Sequence, residues 1–146
     1  MFAEQQIALS QVRLDKANED LETSRDNLNG GKYNAAVNRA YYAMFHAMRS
    51  VFALVSIDFK SHQAALGYFN KEYVNTGAFD PKYFKMIRSA FSLRGKSDYE
   101  DYFNANEEEA VEHVVNAKRF IEAVEAYIEK CIQPQAEDEY EPEIGD

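Results

Sequence analysis

The chain has a single cysteine, Cys131, in 146 residues. One cysteine excludes an internal disulfide and fits a reducing compartment, so a cytoplasmic location is expected. No stretch approaches the ~18 uninterrupted apolar residues of a membrane-spanning helix. The opening residues, Met1-Phe2-Ala3-Glu4-Gln5-Gln6, lack the basic start and apolar block of a secretory signal. Gly30-Gly31 is not followed by the Lys-Ser/Thr of a phosphate-binding loop, and there is no nucleophile-elbow serine. The three histidines, His46, His62 and His113, fall on separate predicted helices, with no second His or Cys at ligand spacing. Glu109-Ala110-Val111-Glu112-His113 comes near the Glu-x-x-His of di-iron bundles without matching it. Neither metal nor cofactor is expected.

Hydrophobic residues make up 46% of the chain, enough for a globular core, and the length suits one domain. The net charge is −9, but it is segregated along the chain. Residues 1–31 carry three basic and six acidic groups; residues 32–96 carry ten basic against only Asp58, Glu72 and Asp80, a net of +7. Residues 97–133 return to −7, and the tail from Pro134 adds −6. Two readings follow: a local basic surface that meets phosphates, or helices of opposite charge that complement one another.

The apolar periodicity predicts helices and no strands. Ile7, Leu14, Leu21 and Leu28 alternate with Ala3, Ser10, Ala17 and Ser24 in a heptad-like seam over about 3–29, ended by Asn29-Gly30-Gly31. A second helix over about 32–55 carries an apolar stripe of Val37, Tyr41, Met44, Met48, Val51 and Val55. Beside that stripe runs a strip of small residues, Ala36, Ala40, Ala43 and Ala47. Ser61 is expected to cap a third helix to about Val74, and Asp80-Pro81 to open a fourth to about Gly95. Arg94 and Asp98 would pair if that helix ran on past Gly95. The last helix is expected over about 106–132, with Glu107, Glu108 and Glu109 in its first turn. The fold expected is all-α: an antiparallel up-and-down four-helix bundle with an additional short helix, over residues 1–133. Residues 134–146 are expected to form a loose, disordered acidic arm.

The second helix also carries a polar row, Arg39, Tyr42, His46 and Arg49, on an otherwise apolar rod. Arg39 and His46 are two turns apart, about 10 Å along the axis, and leave the same face. Cleaving RNA without metal requires a group that moves protons near neutral pH and a cation that meets the charge of the phosphorane. Histidine and arginine suit these roles. The alternative is structural: His46 in an interior hydrogen bond, and Arg39 paired with an acid of a neighbouring helix.

The stretch Asn38-Arg39-Ala40-Tyr41-Tyr42-Ala43-Met44-Phe45-His46-Ala47 resembles the signature of small prokaryotic HEPN-domain proteins with an Arg-x-Tyr-Tyr-x-x-Phe-His core. His62 after Lys60-Ser61, and Arg94 through Asp98-Tyr99, are similar to later features of that group; the resemblance spans about residues 5–130. It implies a bundle that dimerises and brings two Arg…His motifs together. It also implies, for many members, a metal-independent endoribonuclease toxin in which Arg39 and His46 are catalytic, and a nucleotidyltransferase partner as antitoxin. Some such partners adenylylate a tyrosine two residues after the motif histidine; here Met48 stands at that place.

Three functional expectations therefore stand side by side. The first is a ribonuclease with a composite dimer site: Arg39 and His46 catalytic, Tyr42, Arg49 and His62 contacting substrate, Arg94 and Asp98 supporting. The second is a non-catalytic nucleotide- or RNA-binding module working with a nucleotidyltransferase. The third is a structural helical dimer.

Overall fold

The structure is a computed structural model that describes residues 1–140, with side chains described as far as Gln133. Every regular element among these residues is helical: α1 (Glu4–Asn29), α2 (Tyr33–Ala53), α3 (His62–Phe69), α4 (Pro81–Tyr99) and α5 (Glu107–Tyr140). A short π-helical turn, Asn70–Val74, extends α3. No described helix is long and apolar enough to cross a membrane. Helix α5 runs past the expected end near 132, so the backbone of 134–140, expected in a loose acidic arm, is helical, while 141–146 of that arm lie outside the described residues.

Helices α1 and α2 form an antiparallel hairpin. Gly30 and Gly31 make its turn, and Gly31 holds a φ of 74°, where a side chain would be strained. Three hydrogen bonds fix the register: Gln6 Nε2 to Ser56 Oγ, Arg13 to the Arg49 carbonyl, and Ser24 Oγ to the Ala36 carbonyl. The partners in each pair lie nearly equidistant from the turn. The α1 seam is buried at Ser10, Leu14, Ala17, Leu21 and Ser24, while Ile7 and Leu28 are half-buried.

Helix α2 is the centre of the molecule and packs against α1, α4 and α5. Its alanine strip, Ala36, Ala40, Ala43 and Ala47, is fully buried, as are Tyr41, Met44 and Met48. Backbone approaches this close need small residues, and the strip supplies them. Val55 departs from the expected stripe: α2 ends at Ala53, and Val55 lies 44% exposed beyond it.

The remaining boundaries follow local chemistry. Ser61 Oγ accepts from the Ala64 N–H at the start of α3. The expected single helix to Val74 instead widens into the π turn, where Tyr73 and Val74 are buried. Asp80 caps α4 through the Lys82 N–H, and Pro81 occupies the first turn. Gly95 does not end α4, which continues to Tyr99. Asn106 and Glu109 exchange side-chain and backbone hydrogen bonds, a reciprocal box that starts α5.

Candidate functional site

The polar row of α2 does not point into open solvent. Asp20, on α1, receives both ends of the motif: Arg39 NH1 donates to its Oδ1 at 3.1 Å, and His46 Nε2 lies 3.7 Å from its Oδ2. Asp20 stands across from Tyr42 in the hairpin register, between Arg39 and His46, so one carboxylate spans two helical turns. Direct contact between Arg39 and His46 is replaced by this shared acid. His46 Nδ1 is buried and has no hydrogen-bond partner among the described residues. Burial holds the His46 pKa below its ordinary 6.5; Asp20 works in the opposite direction, and Arg49, Lys16 and Arg39 reinforce the lowering. The balance favours the neutral imidazole.

Arg39 is held from two sides. Its Nε and NH2 donate to Asn38 Oδ1 at 2.9 and 2.8 Å, and its guanidinium lies 4.8 Å from the centre of the Tyr42 ring. Asn38 uses its other end: Nδ2 donates to Asp98 Oδ2 at 3.1 Å. Asp98 in turn accepts from Arg94 NH1 at 3.4 Å. The orientation of the Asn38 amide follows from these partners, since a flip would set its NH2 against the guanidinium. A polar chain thus runs Asp20, Arg39, Asn38, Asp98, Arg94, joining α1, α2 and α4.

An aromatic group fills the space beneath that chain. The Arg94 guanidinium lies 5.2 Å from the Tyr41 ring centre and 5.6 Å from that of Tyr42. His62, at the first position of α3, stacks on Phe45 with centroids 4.1 Å apart, and its Nδ1 lies 2.7 Å from Tyr41 Oη. Burial pushes the Tyr41 phenol well above its ordinary value, so Tyr41 keeps its proton and donates, and His62 Nδ1 accepts. Burial, with Arg94 and Arg49 nearby, lowers the His62 pKa as well.

Of the sequence candidates, Arg39, Tyr42, His46, His62, Arg94 and Asp98 are therefore brought into one connected region. Arg49 is engaged elsewhere: its Nε and NH2 donate to the two Asp58 oxygens at 3.1 and 2.8 Å. Arg13 reaches the same carboxylate at 3.1 Å and the Arg49 carbonyl at 3.0 Å. Sequence reasoning missed Asp20 and Asn38. Reflecting α2 through the Gly30-Gly31 turn would have set Asp20 opposite the motif. Among the described residues no three His, Cys, Asp or Glu side chains cluster as metal ligands.

The family model described as the HEPN domain matches residues 10–127, most of the chain. The chain belongs to the HEPN domain family. Its relatives include a Methanocaldococcus jannaschii protein named as a candidate toxin, 33% identical over 97 residues, covering 66% of this chain and 66% of the relative. A UPF0332 protein of Thermotoga maritima is 30% identical over 114 residues, covering 78% and 86%. A second candidate toxin of M. jannaschii is 27% identical over 122 residues, covering 84% and 90%. The HEPN resemblance read from the α2 stretch is thus met by the family match, and the match contains the whole of the connected site.

Proposed function

We propose that this HEPN protein is the toxin of a toxin–antitoxin pair and cuts RNA without a metal ion, using Arg39 and His46. The observation that carries the reading is the convergence of both side chains on Asp20, with burial favouring the neutral form of His46. A neutral imidazole is the form a general base needs. In the proposed reaction the His46 imidazole takes the proton of a ribose 2′-hydroxyl. The 2′-oxygen attacks the adjacent phosphorus, the bond to the 5′-oxygen breaks, and that oxygen takes the proton that His46 has picked up. The products are a 2′,3′-cyclic phosphate and a 5′-hydroxyl end. Arg39 meets the charge on the phosphorane. Tyr42 and His62 line the approach, and Asn38, Asp98 and Arg94 hold Arg39 in place.

In this reading the five helices form an antiparallel up-and-down bundle of α1, α2, α4 and α5, with α3 as the additional short helix. Two copies form a homodimer around one cleft. A nucleotidyltransferase serves as antitoxin by a route other than modifying the residue two after His46, since that residue is Met48. The names of the two M. jannaschii relatives support the toxin role.

The second reading, a non-catalytic RNA- or nucleotide-binding module, is favoured by one observation: the Arg39 donors are already directed at Asp20 and Asn38. Arg39→Ala separates the two. Under the ribonuclease reading it lowers the cleavage rate by about 10²–10³, the usual cost of removing one transition-state donor. Under the module reading the wild type cuts nothing and only binding falls.

A further inference from the structure

The face of α4 turned away from the Arg39–His46 region lines a groove against α5. One part, about 690 Å³, is walled by Lys85, Arg88, Ser89, Ser92 and Lys96 on α4 and by Glu109, Glu112 and His113 on α5. A second depression of about 440 Å³ continues toward the start of α4, with Lys82 on one wall and Arg119 and Glu122 on the other. Five cations therefore face this groove against three carboxylates, a local excess of positive charge in a chain of net −9. Lys82, Lys85, Arg88, Lys96 and Arg119 are all exposed, and none forms an ion pair among the described residues. Charges of both signs facing one another across a groove without pairing leave the cations available to an outside anion.

The spacing gives the shape of that anion. Lys82, Lys85, Ser89, Ser92 and Lys96 follow one another at three or four residues, a straight ridge about 21 Å long at 1.5 Å per residue. A stacked nucleic-acid strand sets a phosphate about every 3.4 Å, so several phosphates fit along it. The two serine hydroxyls lie between the cationic positions and can donate to phosphate oxygens. On α5, Glu112 and Glu122 can accept from the exocyclic amines of bases.

We infer that the α4–α5 groove binds single-stranded RNA, with the phosphate backbone along α4 and the bases toward α5. The inference extends the RNA reading of the Arg39–His46 site but needs no cleavage there. It is tested on the full chain carrying His46→Ala, with EDTA present, by fluorescence polarisation of a labelled single-stranded RNA across a salt series. Each phosphate-neutralising cation contributes a log–log slope of about −0.7. Four or five engaged cations therefore give a slope near −3, and Lys85→Gln with Arg88→Gln flattens it by about 1.4 while weakening binding at every salt concentration. The control pair Lys60→Gln with Lys71→Gln, exposed and outside the groove, leaves slope and affinity unchanged. An unchanged slope in the groove variant, an equal loss in the control, or no RNA binding at 50 mM salt overturns the inference. The two RNA claims fail separately. Groove variants that bind and cut like the parent sink the groove alone; groove-dependent binding without cleavage by the wild type sinks the nuclease alone.

Discussion

At the scale of single residues, the chemistry of this HEPN protein depends on what Asp20 does to its two partners. Its carboxylate is the one group that raises the His46 pKa, against burial and three neighbouring cations. Asp20→Asn removes that opposing charge, so the imidazole titrates lower still. Ring resonances followed by NMR are expected to show His46 moving down in pKa in the variant while His113 does not move. An unshifted His46 would mean that the 3.7 Å approach carries no interaction. The Tyr41–His62 bond makes a second residue-scale claim. Tyr41 is fully buried, and its hydroxyl lies 2.7 Å from His62 Nδ1. Tyr41→Phe leaves that ring nitrogen without its donor and is expected to cost about 1–2 kcal/mol in denaturant unfolding. A neutral change would place water at the nitrogen as readily as the phenol.

At the scale of elements, the site exists because α1 and α2 approach closely, and the buried alanine strip permits that approach. Ala40→Leu adds three carbons to a position with no exposed surface. It is expected to destabilise by about 1–3 kcal/mol through overpacking, with the Asp20–Arg39 contact lengthened as the helices part. Equilibrium unfolding measures the cost, and a stability within a few tenths of the parent would show that the interface has slack. The helices themselves were legible in the sequence because their signals are local. The Leu14–Leu21 seam, the Asp80-Pro81 cap and the Gly30-Gly31 turn each state a boundary within a few residues. Gly95 misled because a glycine in a helical conformation costs only about 1 kcal/mol, less than the rest of the turn supplies. The π turn after Phe69 has no comparable local signal. The site was half legible. Arg39, Tyr42 and His46 announce themselves as polar residues on an apolar rod, whereas Asp20 is an ordinary acid until the hairpin register places it, and Asp58 until the segment after α2 folds back onto Arg49 and Arg13. Arg49 shows the same limit from the other side: its spacing matches the row, but Asp58 and Arg13 engage it at the far end.

At the scale of the whole molecule, the three histidines act together on stability. Burial is the first cause of a lowered pKa for His46, His62 and His113 alike. A histidine whose pKa is lower folded than unfolded leaves the unfolded chain binding more protons as pH falls below the ordinary 6.5. Stability is therefore full above that pH and declines as pH drops through the window beneath it. Thermal unfolding is expected to show Tm falling between about pH 6.5 and 5, with a shallower decline in His113→Gln. A Tm flat across that window would contradict the burial-driven shifts. If His46 is the base of the proposed ribonuclease, the same depression keeps the acidic limb of its pH profile below pH 6.5. Under the proposed function, the Arg39–Asp20–His46 constellation of this HEPN protein cuts RNA. The most direct measurement is incubation of purified full-length protein with end-labelled single-stranded RNA in excess EDTA, beside His46→Ala with an unchanged circular dichroism spectrum. Cleavage by the wild type to 2′,3′-cyclic phosphate ends, absent in the variant, is the predicted result; intact RNA with both proteins, or equal cleavage by both, contradicts it.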